Sequence, residues 1–70
     1  MNMVLVNTLV PDKTYVALAG LPEEMYLVLD VALHPDGVQH WVRLDKHCRY
    51  SAQDNFVAIE NIAAVFHRKH

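Results

Sequence analysis

The chain has a single cysteine, Cys48, among its 70 residues. One thiol excludes an intramolecular disulfide and agrees with a reducing compartment. Long apolar runs are also missing, since none approaches the roughly 18 residues that span a bilayer. We therefore predict a cytoplasmic protein with no membrane partner. The first ten residues, MNMVLVNTLV, contain neither a basic leader nor a small-residue cleavage site, so we expect them to belong to the fold.

Metal-binding and catalytic motifs are missing as well. The chain has five histidines but no CxxC, HxxxH or HExxH spacing, and zinc needs about four converging ligands. His40, His47 and Cys48 lie close in sequence, yet solvated or hydrogen-bonded histidines explain them more simply. Asp45 and Ser51 add residue types suited to acid–base or nucleophilic work, without a nucleophile turn or an oxyanion hole. We predict no enzymatic activity, no metal and no cofactor.

The size, composition and charge of the chain favour a small, self-associating domain. Residues 1–70 suffice for one domain only, near the lower size limit for a single hydrophobic core. Hydrophobic residues make up 53% of the chain, more than such a domain can easily bury, which favours a homo-oligomer. The net charge of −2 selects neither nucleic acid nor membrane, but all five histidines and five of the six lysines and arginines lie in residues 31–70.

The turn sequence HPDG at residues 34–37 predicts a β-hairpin between two apolar runs. The expected register starts from Leu33 opposite Val38. Three further pairs then lie on the same apolar face: Val31 with His40, Leu29 with Val42, and Leu27 with Leu44. Two pairs are expected on the outer face, Asp30 with Trp41 and Val28 with Arg43, and Tyr26 is expected on the same face.

A helix is the alternative for residues 22–34, because Pro22 and the two glutamates after it suit a helix start. Such a helix would be apolar on nearly every side, so we favour the strand. Upstream, residues 14–19 predict a strand ending at Gly20, and the first ten residues a strand or short helix. Downstream, the polar residues 45–55 predict a loop. A strand at 56–59, a tight turn at Glu60 and Asn61, and a strand at 62–67 complete the pattern.

These elements describe an all-β protein with a small, five-stranded, strongly bent SH3-like barrel, and two segments resemble a particular family. Residues 16–32 (VALAGLPEEMYLVLDVA) resemble the first motif of Sm and Lsm proteins, including the Hfq branch, and residues 57–65 (VAIENIAAV) resemble the second. The matching structural positions are Leu18, Gly20, Met25, Leu27, Leu29, Asn61, Ile62 and Val65. The resemblance implies an Sm-like barrel in which the strand before the tight turn pairs with the strand after it in a neighbouring copy.

That pairing would close a homo-oligomeric ring. Independently of the family, an edge strand at 56–59 without proline or charge favours coverage by another chain. The predicted oligomer interface consists of six apolar residues: Phe56, Val57, Ile59, Ile62, Val65 and Phe66.

The positions at which the family contacts RNA differ in this chain. Pro22 and Tyr26 stand where the first motif usually has an aspartate and a base-reading asparagine, while Ala58 and Ile59 replace an arginine and a glycine. The hydrogen bonds and ion pairs that recognise uridine-type RNA are therefore lost, although Tyr26 retains a ring that can stack on a base.

Three functional hypotheses follow from the sequence. The first is a ring-forming Sm-like binding or scaffold module. The second is a monomeric or dimeric SH3-like adaptor from a phage or mobile element that binds a protein partner through a contact patch of Tyr26, Trp41 and Arg43. The third is RNA binding by the basic half of the chain. The predicted ligand or RNA contacts are Tyr26, Trp41, Arg43, Asn61, His67, Arg68 and Lys69.

Overall fold

The computed structural model describes residues 6–33, 37 and 39–67 and contains five strands. The strands are β1 (Thr14–Leu18), β2 (Leu21–Leu33), β3 (His40–Leu44), β4 (Phe56–Ala58) and β5 (Ile62–His67). They form one antiparallel sheet in the order β4-β3-β2-β1-β5. Short 3₁₀ turns lie at Val6–Thr8, Gln53–Asn55 and Ile59–Asn61. The predicted all-β fold and the strand assignment of residues 22–33 are confirmed, and the helix alternative is wrong.

The bend of the sheet comes from β2, the longest strand. Leu21, Tyr26 and Leu27 pair with β1, and Val28 and residues 30–33 pair with β3, so one 13-residue strand serves both parts of the sheet. Leu29 forms a bulge between the pairs Val28–Leu44 and Asp30–Arg43. A bulge adds one residue to one strand and bends it, which lets both halves of β2 cover the same core.

The predicted hairpin register is wrong by two residues at positions 30–33 of β2 and by one residue at Val28. Leu33 pairs with His40 and Val31 with Val42, so the connection is longer than the four-residue turn assumed. Residues 34–36 of the predicted turn and Val38, the predicted partner of Leu33, lie outside the described residues. The bulge also exchanges the faces of β2 before residue 30, because one extra residue reverses the alternation of side chains. Val28 is consequently buried, while Leu27 is only half-buried.

The core lies in the concave side of the bent sheet. Strands β1, β2, β3 and β4 each supply fully buried side chains, namely Val16, Leu18, Val28, Val42, Leu44 and Val57. Leu9, ahead of β1, also packs into this cluster. The segment before β1 is held by the buried Thr14 hydroxyl, which accepts a hydrogen bond from the Val10 amide at 2.9 Å and donates to the Thr8 carbonyl at 3.5 Å.

The turn between β1 and β2 joins two other loops at one end of the sheet. Gly20 has a φ of +77°, a left-handed conformation that glycine adopts without steric cost. The Ala19 amide donates to the Asn61 carbonyl at 2.9 Å, and the Tyr50 hydroxyl donates to the Ala19 carbonyl. The β1–β2 turn, the β3–β4 loop and the β4–β5 turn are thereby fixed to one another.

Candidate interaction surfaces

The two ends of the strand order, β4 and β5, are the sheet's edge strands. Among the described residues, β5 pairs only with β1, and β4 only with β3. Neither β4 nor residues 62–66 of β5 contain proline or a charged side chain. By contrast, residues 22–25 of β2, which pair with neither β1 nor β3 in the described sheet, are exposed and carry Pro22 and two glutamates. Proline and charge discourage pairing with another chain, so only β4 and β5 lack that protection.

Phe66 is the most exposed large apolar residue on β5. It pairs across the sheet with Tyr15, which in turn pairs with Leu27, and 45% of its surface is exposed. Its neighbour Val65 pairs with the buried Val16 and packs against the core instead. Leu27, Tyr15 and Phe66 therefore form a row across the outer face of the sheet that ends at the β5 edge.

A second row ends at the β4 edge. Asp30 pairs with Arg43, and Arg43 with Phe56, which is half-buried. The backbone of Phe56 is already engaged: its carbonyl accepts from the Ala52 amide at 2.7 Å, and its amide donates to the Gln53 carbonyl. One of the three residues of β4 therefore already has both backbone groups in intramolecular hydrogen bonds, and a neighbouring strand would meet these groups occupied.

The part of the β3–β4 loop that precedes the Gln53–Asn55 turn is tied to the core. Cys48 is buried, its amide donates to the Ser51 hydroxyl at 3.0 Å, and its carbonyl accepts from the Ser51 amide at 3.0 Å. Tyr50 packs against the core, and Arg49 lies over its ring with the guanidinium carbon 5.1 Å from the centroid. A guanidinium nitrogen of Arg49 also donates to the Tyr50 hydroxyl at 3.1 Å. Residues 48–51 thus form a fixed anchor.

The six residues of the predicted oligomer interface fall into three groups. Val57 and Ile62 belong to the core, with 0% and 3% of their surfaces exposed. Ile59 and Val65 are half-buried and pack against that core. Phe56 and Phe66 lie on the outer face at the two edges, Phe56 half-buried and Phe66 exposed.

Tyr26 lies in the core, and its predicted place on the outer face of the hairpin is wrong. Only 4% of its surface is exposed, because the bulge at Leu29 exchanges the faces of this half of β2. Burial raises the pKa of its hydroxyl above the ordinary value of 10.0. Lys46 Nζ lies 5.1 Å from the ring centroid and 3.5 Å from a carboxylate oxygen of Glu24. A base therefore has no open ring face of Tyr26 on which to stack.

The other predicted contact residues do not converge on one site. Trp41 and Arg43 lie on the outer face of β3, half-buried and exposed respectively, while Asn61 lies in the β4–β5 turn and His67 at the end of β5. Arg68 and Lys69 lie outside the described residues. Within residues 6–33, 37 and 39–67, no group of three metal-ligating side chains comes together. No helix in that part of the chain is long and apolar enough to cross a membrane.

Sequence reasoning missed the role of the turn at Gln53–Asn55. It predicted a loop over residues 45–55 but not that this loop returns to bond β4. Asp54 and Asn55 both have left-handed φ values, of 58° and 63°. Two adjacent residues of the types that tolerate this conformation were the available signal for a tight turn.

Comparisons with protein-family models, with curated proteins and with solved structures gave no match. The five-stranded, bent β fold is established by the structure itself. Membership of the Sm and Lsm family stays a prediction from the two motifs.

Proposed function

We propose that this chain is a non-enzymatic, Sm-like binding or scaffold module that works as a homo-oligomer. In this proposal β5 of one copy pairs with β4 of the next, and the repeated head-to-tail contact closes a ring. The observation that carries the proposal is the contrast between edges: β4 and residues 62–66 of β5 lack proline and charge, whereas the exposed stretch of β2 contains both.

Pairing of the two edges would also cover exposed apolar surface. Phe66 and Phe56 end the two rows of outer-face residues, one at each edge. Side chains on adjacent strands stabilise each other when their Cβ atoms lie about 5 Å apart, and aromatic pairs do so most strongly. A head-to-tail contact produces a ring if its rotation closes and a filament if it does not. The charged pair Asp30 and Arg43 lies beyond Phe56 and stays at the rim of such a contact.

The ligand of the module is less constrained than its assembly. The family's usual RNA positions offer little here, since Tyr26 and Ala58 are 4% and 5% exposed. RNA contact through the basic C-terminal residues remains a prediction of the sequence, which salt-dependent binding to a short single-stranded RNA would test. The adaptor hypothesis retains Trp41 and Arg43 on the outer face of β3 but loses Tyr26 from its contact patch.

Two single substitutions, measured by native mass spectrometry and sedimentation at micromolar concentration, test the assembly. Phe66→Asp places a charge on the β5 edge, and Phe56→Asp places one on the β4 edge, where Arg43 lies opposite and can pair with it. Each should weaken association about tenfold or more, since each puts a charge at an apolar contact. Val65→Asp is less suitable because Val65 packs against the core. Leu33→Asp is the control, at an exposed position of β2 away from both edge strands.

Mixing the two variants identifies the type of contact. In a head-to-tail contact, each variant alone should be mainly a monomer of 8.0 kDa at a concentration where the wild type associates, but the intact β4 of one variant can pair with the intact β5 of the other. The mixture should then form a heterodimer of twice that mass. Association of Phe56→Asp on its own with the wild-type affinity would indicate a two-fold contact between β5 strands and exclude the ring. A wild-type protein that stays at 8.0 kDa would exclude the oligomer altogether.

A further inference from the structure

Residues 52–55, which we call the strap, connect the anchored part of the β3–β4 loop to β4. The strap bonds Phe56 on both of its backbone groups, through the Ala52 amide at 2.7 Å and through the Gln53 carbonyl. Strand β4 has only three residues, so these two bonds occupy a large part of the backbone amide and carbonyl groups with which it can pair with another strand. The strap therefore uses groups that an incoming β5 would also need.

We infer that the strap is a built-in competitor for the β4 edge and that it must release before β5 of another copy pairs there. This inference rests on the proposed function, because it concerns the regulation of the same contact. The strap keeps the single chain closed at β4, and the bonds lost on its release are replaced by bonds to the neighbour. The result is an association affinity set by the stability of a turn that lies outside the core.

The strap can move without disturbing the fold. Its side chains at residues 52–54 are exposed, and Asn55 is half-buried. The anchor before it, at Cys48 and Tyr50, keeps its own contacts with the core and with the β1–β2 turn. Release therefore breaks two backbone hydrogen bonds and removes little apolar contact, which is the character of a locally opening segment.

The turn inside the strap holds it only weakly. Asp54 has φ of 58° and ψ of 33°, and Asn55 has φ of 63°. Residues other than glycine adopt this left-handed region at a steric cost, even though Asp and Asn tolerate it better than most. A glycine at the second position would remove that cost and favour the closed strap.

Substitutions that close or open the strap should shift self-association in opposite directions. Asn55→Gly favours the turn and should weaken association about two- to fivefold. Asp54→Val places a β-branched residue at positive φ and should strengthen association about fivefold or more. Ala52→Pro removes the amide that donates to Phe56, at a position whose φ of −86° lies near the range of proline, and should strengthen association about fivefold.

Asp12 provides a matched control. It has the same left-handed conformation, with φ of 65°, but lies in the segment before β1. Asp12→Gly should favour this left-handed conformation and Asp12→Val should disfavour it, as Asn55→Gly and Asp54→Val do in the strap. Neither Asp12 variant should change association. The measurement is the dissociation constant of the oligomer from sedimentation over a concentration series, for the wild type and the five variants.

The outcomes separate this inference from the proposed function. Opposite shifts for Asn55→Gly and for the two opening variants, with the Asp12 variants unchanged, support the strap as a competitor. Equal dissociation constants in all variants of an associating protein overturn the inference and leave the oligomer intact. Weaker association in Asp54→Val and Ala52→Pro would mean that the strap belongs to the interface, which also overturns it. If the wild type and both opening variants stay at 8.0 kDa, the proposed function and the inference fail together.

Discussion

Replacing Thr14 by valine should weaken the attachment of the segment before β1 to the sheet. Thr14 is fully buried, and its hydroxyl accepts the Val10 amide at 2.9 Å while donating to the Thr8 carbonyl at 3.5 Å. Valine has nearly the same shape but leaves that amide without its acceptor, at a cost of about 1–3 kcal/mol. The methyl group that replaces the hydroxyl stabilises the variant by up to about 1 kcal/mol through its burial, which offsets part of this cost. The net loss should be about 1–2 kcal/mol, or a fall in melting temperature of about 5–15 °C for a chain of this length.

Thermal and urea denaturation followed by circular dichroism would measure this loss, with Thr14→Ser as the control. Serine keeps the hydroxyl and loses only a buried methyl group, so it also lowers stability by about 0.5–1.5 kcal/mol. Hydrogen exchange separates the two causes, because the Val10 amide should exchange faster in Thr14→Val but not in Thr14→Ser. Thr14→Val with wild-type stability and unchanged exchange at Val10 would refute the role given to this hydroxyl.

Two further predictions concern the turn at Gly20 and the titration of Tyr26. Gly20→Ala and Gly37→Ala should each cost about 1 kcal/mol for positive φ. Gly20→Ala should lose more stability in urea titrations, because its new Cβ would lie 2.6 Å from an Arg49 nitrogen that has to move; equal losses would deny that contact any role. Because burial raises the pKa of Tyr26, its contribution to stability is complete below the unfolded pKa of about 10 and is lost as the pH rises through the folded value. Above about pH 10, the unfolding free energy of the wild type should therefore fall relative to that of Tyr26→Phe, which has no hydroxyl to ionise. A difference between the two proteins that stays constant over this pH range would contradict the prediction.

The strand positions could be predicted because local signals agree along this chain. A glycine ends β1, and the tight turn after Ala58 lies within one residue of its predicted place. The register of β2 against β3 could not be predicted, because residues 25–29 are apolar at every position and fit the core on either face. Only Asp30 marks a face, and the bulge at Leu29 lies directly before it.

This ambiguity carried over to the candidate site. Tyr26 was predicted to be accessible because alternation was counted without a bulge, and the same error placed Leu27 in the core. Trp41 and Arg43 kept their predicted outer face because β3 is regular along its five residues. The contact between the strap and Phe56 joins residues four apart in a polar loop, where composition indicates a turn but not the strand edge it meets.

The high apolar content of the chain does not by itself locate an interface. The large apolar residues that are 41–54% exposed are Val10, Met25, Leu33 and Phe66, and they lie before β1, at two places along β2 and on β5. Scattered apolar residues of this kind are ordinary on protein surfaces. Met25 also lies on an open stretch of β2, but Pro22 and two glutamates precede it there, whereas Phe66 lies on an edge without proline or charge at residues 62–66. Pairing of the β5 backbone would bury the Phe66 side chain as well. Assembly is therefore expected where an open edge without proline or charge coincides with an exposed apolar side chain, and among these four residues that condition selects β5.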